Sequence, residues 1–359
     1  MKKLLFSAYS LDIGGIENAL VTLLNKLDEL GYDITLVLEK KQGVFLEKIS
    51  LNVKIIEYTP NNNKIVIIRK IINMLKRICF SLKHKNKYDF SASFATYSLA
   101  GSFVARTASK NSALWIHTNY LTYFNNDIEK VKKFFNILNY NMFKHIIFVS
   151  KNAKNDFMNI FPDIKENVKV CNNLIDYEKI NSLASEEIDI EKDSKIKTFL
   201  NVGRHEELAK RLTRLIQASN MLKSDGFNFK VLLVGDGQDT KLYKEMVEKS
   251  KLQDNIIFLG QKQNPYPYFK IADCVVLTSD YEGYPVVFLE SMVLNKPIIT
   301  TKVSDYEEIE GKFGYTTEKT VQDIYEKMKL FIENGFEIKE KFDAEKYNNE
   351  IIKKLEKLL

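Results

Sequence analysis

The feature that most constrains this chain is an alternation kept up along its whole length: short apolar runs of strand length are separated by longer segments with helical periodicity. Continuous apolar runs suit strands buried on both faces, and intervening helices are the crossovers that parallel strands require. Leu4–Tyr9 reads as the first strand and Glu17–Glu29 as a helix carrying Ala19, Leu20, Leu23, Leu24 and Leu27 on one side. Gly31 stops that helix, and Ile34–Leu38 is the next strand. Leu114–His117 and Ile146–Val149 are further strands.

A second series of the same kind begins after a polar, acidic stretch at residues 179–195, which reads as a linker. It runs strand Thr198–Val202, helix Thr213–Leu222, strand Lys230–Val234, helix Thr240–Lys249, strands Ile256–Leu259 and Cys274–Thr278, helix Val286–Val293 and strand Ile298–Thr301. The chain of 359 residues is long for one α/β domain and suits two. The expectation is two doubly wound Rossmann-like domains, 1–180 and 181–339. Tyr347, Ile351, Leu355 and Leu358 form one stripe of a terminal helix, residues 340–359, expected to pack back on the first domain.

Three scattered cysteines, Cys79, Cys171 and Cys274, offer no paired metal-ligand spacing and suit a reducing compartment. The opening apolar run is short, is broken by serines and leads into a Gly-Gly turn, so a buried strand is the better reading than a signal peptide. No apolar run is long enough to span a bilayer, and the expected location is cytoplasmic. The net charge of +6 is uneven. Residues 1–178 hold 25 Lys/Arg against 16 Asp/Glu, while the remainder holds 28 against 31.

The most informative stretch is Asp273–Glu290. A buried strand ends near Ser279, a loop holds Glu282 and Gly283, and Pro285 opens a helix. Such a junction presents free amides and a positive dipole end at the C-terminal edge of a sheet. Glu282 and Glu290 bracket it. A second motif, Asn201–Arg211, follows a strand directly: Gly203 permits a tight turn, and Arg204, Lys210 and Arg211 gather cations there, Arg as a planar fork and Lys as a mobile point charge. Gly14 and Gly15 lie between the first strand and first helix, where close backbone approach to a ligand is useful. His117 ends a strand; His205 has no evident role, and His84 and His145 read as surface residues.

Glu-x7-Glu with Gly-Tyr-Pro after the first glutamate, together with Gly-Arg and a later Lys, resembles the retaining glycosyltransferases of family 4, which have the GT-B fold. Phe148–Lys154, Asn173–Asp176 and Val234–Gly237 are weaker echoes, while Ser304–Glu308 departs from the family's Gly-Gly before an acid. The resemblance implies two Rossmann-like domains facing each other across a cleft, the first for acceptor and the second for a nucleotide-sugar. It places Glu282 beside the donor sugar, Glu290 on the ribose hydroxyls, Arg204 and either Lys210 or Arg211 on the diphosphate, and His117 on the sugar hydroxyls. Gly14, Gly15, Gly203, Gly283, Tyr284 and Pro285 complete the donor site. The implied activity is metal-independent, retaining transfer from a nucleotide-sugar, in the first instance a UDP-sugar, to a glycan or lipid-linked acceptor in surface polysaccharide synthesis. No Asp-x-Asp pair is present for a metal-bridged donor, and no cofactor is expected. A nonhydrolysing UDP-sugar epimerase of the same fold, and a silent sugar-nucleotide-binding subunit, remain the alternatives.

Residues 64–87 (KIVIIRKIINMLKRICFSLKHKNK) carry eight Lys/Arg and no acid, interleaved with Ile68, Ile71, Ile72, Leu75, Ile78, Cys79 and Leu82. A helix here is apolar on one face and cationic on another. That suits an anionic membrane surface, or else a core helix whose solvated face is basic. No nucleic-acid motif accompanies the charge.

Overall fold

The computed structural model describes residues 1–94, 98–188 and 190–359, with Lys165 described by its backbone alone. The chain forms two compact units. Met1–Leu174 with Asn348–Leu359 make the first, and Ile175–Tyr347 the second.

The first unit is built on seven parallel strands in the order β3-β2-β1-β4-β5-β6-β7. These are β1 (Lys3–Ala8), β2 (Asp33–Leu38), β3 (Lys54–Glu57), β4 (Phe90–Ser93), β5 (Ser112–Ile116), β6 (His145–Phe148) and β7 (Val168–Val170). β1 pairs with β2 from Lys3↔Asp33 to Ala8↔Leu38, and with β4 from Leu4↔Phe90 to Ser7↔Ser93. Leu4, Leu5 and Phe6 have no exposed surface, as expected for a central strand covered on both faces. Three helices flank its first half: α1 (Gly15–Glu29), α2 (Val66–His84) and α3 (Leu99–Ala108). An aromatic cluster of Phe135, Phe148, Phe157 and Phe161 fills the space over β6.

The second unit carries six parallel strands in the order β10-β9-β8-β11-β12-β13. They are β8 (Lys197–Val202), β9 (Phe229–Val234), β10 (Ile256–Gly260), β11 (Cys274–Leu277), β12 (Ile298–Thr301) and β13 (Gly314–Thr317). Its core packs Phe199, Leu215, Phe229, Tyr243 and Phe331. In both sheets the strand order reverses beside the first strand, between β1 and β4 and between β8 and β11. Loops leaving the C-terminal ends of strands at such a reversal diverge, and the space between them is where open α/β sheets bind ligands.

Several readings of the sequence need correction. Residues 179–183 are not linker: helix Tyr177–Leu183, capped by Asp176, belongs to the second unit and contacts its helices Tyr266–Ile271 and Val286–Val293. Asp189, in the same stretch, lies outside the described residues. The boundary between units falls at Leu174/Ile175 instead of 180/181, and the chain returns to the first unit at Asn348 instead of 340. The terminal helix is Ala344–Glu356; Asn111 Nδ2 donates to the Leu358 carbonyl at 2.9 Å. His145 is no surface residue but is buried in β6 beside Asn111, and His84 is half-buried, its ring stacked on Phe80. Lastly, α2 is not a core helix: of its residues only Phe80 is buried.

Candidate functional site

The loops after β8 and β9 interlock through their backbones. Gly203 N donates to Val234 O at 3.0 Å and His205 N to Asp236 O at 3.0 Å. Gly235, at φ +145°, has Gly203 O only 1.9 Å from where a Cβ would stand, and at Gly237 the His205 carbonyl would be 2.4 Å away. No side chain fits at either place. Thr240 Oγ1 donates to Asp236 Oδ1 at 2.6 Å and so accepts from His205 Nδ1, 2.8 Å away. Burial holds the His205 imidazole below its ordinary value, and the ring serves as a neutral pin between the two loops. This gives His205 a positioning role that its sequence context does not reveal.

The β8 loop is also stitched to the loop after β11. Asp280 N donates to Ala209 O at 2.8 Å, and Thr278 Oγ1 to the carbonyls of Lys210 and Arg211 at 3.0 and 3.1 Å. Held in this way, Lys210 crosses the face of Gly203 and donates to Glu282 Oε1 at 2.6 Å. Ser279 Oγ donates to the same oxygen at 2.7 Å. Gly203, Lys210 and Glu282, widely separated in sequence, therefore converge at the strand-order reversal.

Its neighbour Arg211 is committed elsewhere. It adopts φ +50° at the start of helix Leu212–Ser224, donates through Nε to Asp280 and lies 3.7 Å from Glu207. Arg214 takes the other Asp280 oxygen at 2.6 Å. Burial opposes ionisation of Asp280, but the hydrogen bonds from Arg211 and Arg214 win and keep its carboxyl below the ordinary range. Asp280 was missed in the sequence, although it stands two residues before Glu282, because its partners come from another strand's loop. Arg204 is the exposed cation of the site, 64% accessible along its side chain, with a guanidinium nitrogen 3.8 Å from Glu206. It touches neither Glu282 nor Glu290 in the described contacts.

Glu290 stands on helix Val286–Val293, 7% exposed, and accepts one hydrogen bond at 3.2 Å from Tyr266, a residue that sequence reasoning passed over. Desolvation raises its carboxyl from 4.5 to about 7. A buried acid with no facing cation is costly unless a ligand's donors complete it. Pro285 precedes the helix and no side chain caps its first turn. Gly283 accepts from Ser304 Oγ at 2.6 Å, and buried Tyr284 donates to Glu308 at 2.8 Å. The Ser304–Glu308 segment, which departs from the family pattern, thus braces the Glu282 loop, with Ser304 itself at φ +54°.

In the first unit, the expected residues sit at the C-terminal edge of the sheet. Gly14 is the N-cap of α1 in extended backbone that any residue adopts, and a Cβ there would meet the Glu17 carboxylate at 2.1 Å. Gly15 begins the helix. His117 directly follows β5, is 8% exposed, and packs 4.3 Å from the Phe94 ring. Both its ring nitrogens lack a hydrogen-bond partner among the described residues. Burial lowers it from 6.5 to about 3, so the ring is neutral, with one N–H to give and one lone pair to fill.

Comparison with known proteins agrees with this architecture. Residues 13–179 match the family Glycosyltransferase Family 4, and residues 185–350 match Glycosyl transferases group 1. The chain is 26% identical over 309 residues to N-acetylgalactosamine-N,N'-diacetylbacillosaminyl-diphospho-undecaprenol 4-alpha-N-acetylgalactosaminyltransferase of Campylobacter jejuni, covering 84% of this chain and 81% of that enzyme. It is 32% identical over 146 residues to an uncharacterized glycosyltransferase of Methanocaldococcus jannaschii, a stretch spanning 39% of this chain and only 35% of that relative. The crystal structure of Anabaena Alr3699/HepE in complex with UDP and glucose superposes with a TM-score of 0.75 at 17% identity, over 99% of this chain and 100% of that one. The lipopolysaccharide outer core galactosyltransferase WaaB in its apo form gives 0.70 at 16%, again over 99% and 100%. Two consecutive family matches over its two halves, with structural neighbours that span its length, identify this chain as a member of the glycosyltransferases of the GT-B fold.

Proposed function

We propose that the chain transfers a sugar from a nucleotide-sugar, a UDP-sugar in the first instance, to a glycan or lipid-linked acceptor, with retention and without a metal, in surface glycan synthesis on the cytoplasmic side. The observation that carries this reading is the Lys210–Glu282 pair at 2.6 Å, set between the loops after β8 and β11. In this pair the lysine is neutralised by the glutamate. An incoming diphosphate offers more charge than one carboxylate, and draws Lys210 over together with the exposed Arg204. Glu282, released from the lysine and still held by Ser279, is then placed to accept from a donor-sugar hydroxyl. Glu290 accepts from ribose hydroxyls, whose donors complete its buried carboxylate. Within the first unit, Gly14 and Gly15 leave room for close approach of a ligand, and neutral His117 offers one N–H and one lone pair suited to sugar hydroxyls.

As the bond between the sugar's C1 and the diphosphate oxygen breaks, Lys210 and Arg204 stabilise the charge that grows on the leaving phosphate. The acceptor oxygen bonds to C1 on the same face, and its proton passes to the departing phosphate oxygen. Names of relatives favour this class of acceptor: the Campylobacter enzyme's names a diphospho-undecaprenol substrate, and a Staphylococcus aureus relative is a poly(ribitol-phosphate) alpha-N-acetylglucosaminyltransferase. The Anabaena neighbour holds UDP and glucose, which favours UDP as the carrier.

The test is turnover of labelled nucleotide-sugars, with and without membrane-extracted acceptors, in the presence of a chelator. The expected result is acceptor-dependent release of nucleoside diphosphate that the chelator leaves unchanged. Free donor recovered with an inverted sugar centre, and no release, would replace transfer by epimerisation.

A further inference from the structure

Helix α2 reverses the usual arrangement of a surface helix. A helix on a globular domain ordinarily buries its apolar stripe and hydrates its polar face. In α2 the inward residues are mostly polar. Asn73 exchanges hydrogen bonds with the backbone of Asn61 at 2.6 and 3.0 Å, and Lys76 donates to Thr59 O at 2.7 Å. The Arg77 guanidinium lies 5.2 Å from the Phe103 ring, and Phe80 is the one buried side chain. These contacts fix which way the helix faces.

The opposite side is aliphatic and uncovered. Ile67 is 70% exposed, Ile71 49%, Met74 54%, Leu75 52%, Ile78 48% and Leu82 77%. They recur at three- and four-residue spacing, so they form one continuous stripe along the helix. Single exposed aliphatics are normal on any protein, whereas a stripe of this length marks an interaction surface. Cations border it: Lys70 and Lys83 are exposed beside the stripe, and Lys64, Lys85 and Lys87 are exposed at its ends. No acid interrupts residues 64–87.

We infer that α2 is a membrane-docking helix that lies flat in the interface of an anionic bilayer, its aliphatic stripe among the acyl chains and its lysines on the lipid phosphates. The occupant must offer an apolar interior beneath a negative rim, and an anionic leaflet is the surface with that layering. A second copy of the chain would set this cationic rim against itself. Nucleic acid would satisfy the lysines and leave the isoleucines in water. The helix does not span: among the described residues no helix is long and apolar enough to cross a membrane. The inference stands on α2 alone and holds whatever sugar the chain transfers.

The test is flotation of the full chain with vesicles of phosphatidylcholine containing phosphatidylglycerol, and with vesicles of phosphatidylcholine alone, without any sugar nucleotide. The chain is expected to float with the anionic vesicles and to be left behind by the neutral ones. The double variant Ile71→Glu/Ile78→Glu alters exposed residues only and should keep its circular dichroism while losing at least about tenfold in vesicle binding. Exchanging Lys70 and Lys83 for Gln should weaken binding about fivefold per lysine. Leu242→Glu, an equivalent change on helix Thr240–Lys249 of the second unit, should float like the wild type. Failure to float with anionic vesicles, equal flotation of the Ile71→Glu/Ile78→Glu variant, or loss of flotation in Leu242→Glu would each overturn the inference. So would a wild-type dimer, seen by sedimentation, that the double variant dissociates.

Discussion

The two units bury their functional side chains in opposite electrostatic settings. At the reversal point of the second sheet the loops are dense with charge: Lys210 on Glu282, Arg211 and Arg214 on Asp280, and Arg204 exposed nearby. At the matching edge of the first sheet the expected residues are two glycines and a neutral histidine against Phe94. A site built to hold a diphosphate needs cations kept in place by acids that can release them. A site that meets sugar hydroxyls needs directed, uncharged hydrogen-bonding groups. Burial nevertheless acts alike on one titrating group in each unit. Glu290 is raised to about 7 and His117 lowered to about 3, both by burial, so each is held neutral more readily than in the unfolded chain.

The largest effects should fall on the charged region. Lys210→Ala is expected to lower kcat/KM by about two to three orders of magnitude, the usual loss when one donor to transition-state charge is removed. Arg211→Ala should cost about tenfold or less, and should lower the melting temperature more than Lys210→Ala does. Steady-state kinetics on the two variants sharpen the comparison, and equal losses would break it.

Next in size is Asp280→Ala. It leaves Arg211 and Arg214 without their shared acceptor and loosens the loop that aims Lys210. Because the cluster is partly exposed, the expected loss is about 1–3 kcal/mol of unfolding free energy, read from denaturant melts.

Glu290→Gln should act in the reverse sense on stability. With the folded carboxyl at about 7 against 4.5 unfolded, protonation favours the folded form. That contribution is complete below 4.5 and is lost as pH rises through about 7. The glutamine variant, neutral throughout, should gain about 1–3 kcal/mol over the wild type at alkaline pH and little at acid pH, while nucleotide-sugar binding falls. Stability curves at several pH values decide this, and an unchanged difference between acid and alkaline pH would contradict it.

The smallest effect belongs to the first unit. His117 takes its proton at about 3 when folded and at its ordinary 6.5 when unfolded. Protons therefore favour the unfolded chain, and stability falls as pH drops from 6.5 towards 3. His117→Gln should flatten this acid limb by about 1 kcal/mol near pH 5.5 and leave the alkaline limb alone.

Much of the fold could be read from the sequence, most securely where backbone chemistry punctuates it. Helix Val286–Val293 begins after Pro285, strand Ile298–Thr301 follows Pro297, and helix Thr240–Lys249 follows Gly237 and Asp239; all three have the bounds the pattern implies. β4 escaped notice because its buried Ser91 and Ser93 interrupt any apolar run. β3 and β13 escaped too, because Lys54 and Glu57 leave β3 only two apolar residues and Gly314, Thr316 and Thr317 leave β13 only Tyr315. Glu282 and Lys210 could be named because local spacing marks them. Asp280, Tyr266 and His205 could not, since their roles depend on partners that only the strand order brings near. Periodicity revealed that α2 has an apolar face, but which way that face turns depends on contacts with Asn61, Thr59 and Phe103.

The central claim is that Lys210 trades Glu282 for a diphosphate, and calorimetric titration of UDP into the wild type, Lys210→Ala and Glu282→Ala tests it most directly. Loss of the lysine is expected to weaken UDP at least about tenfold, while loss of the glutamate, which frees the lysine beforehand, should leave UDP bound as tightly or more so. UDP bound equally well by the wild type and Lys210→Ala, or markedly weakened by Glu282→Ala, would contradict the account.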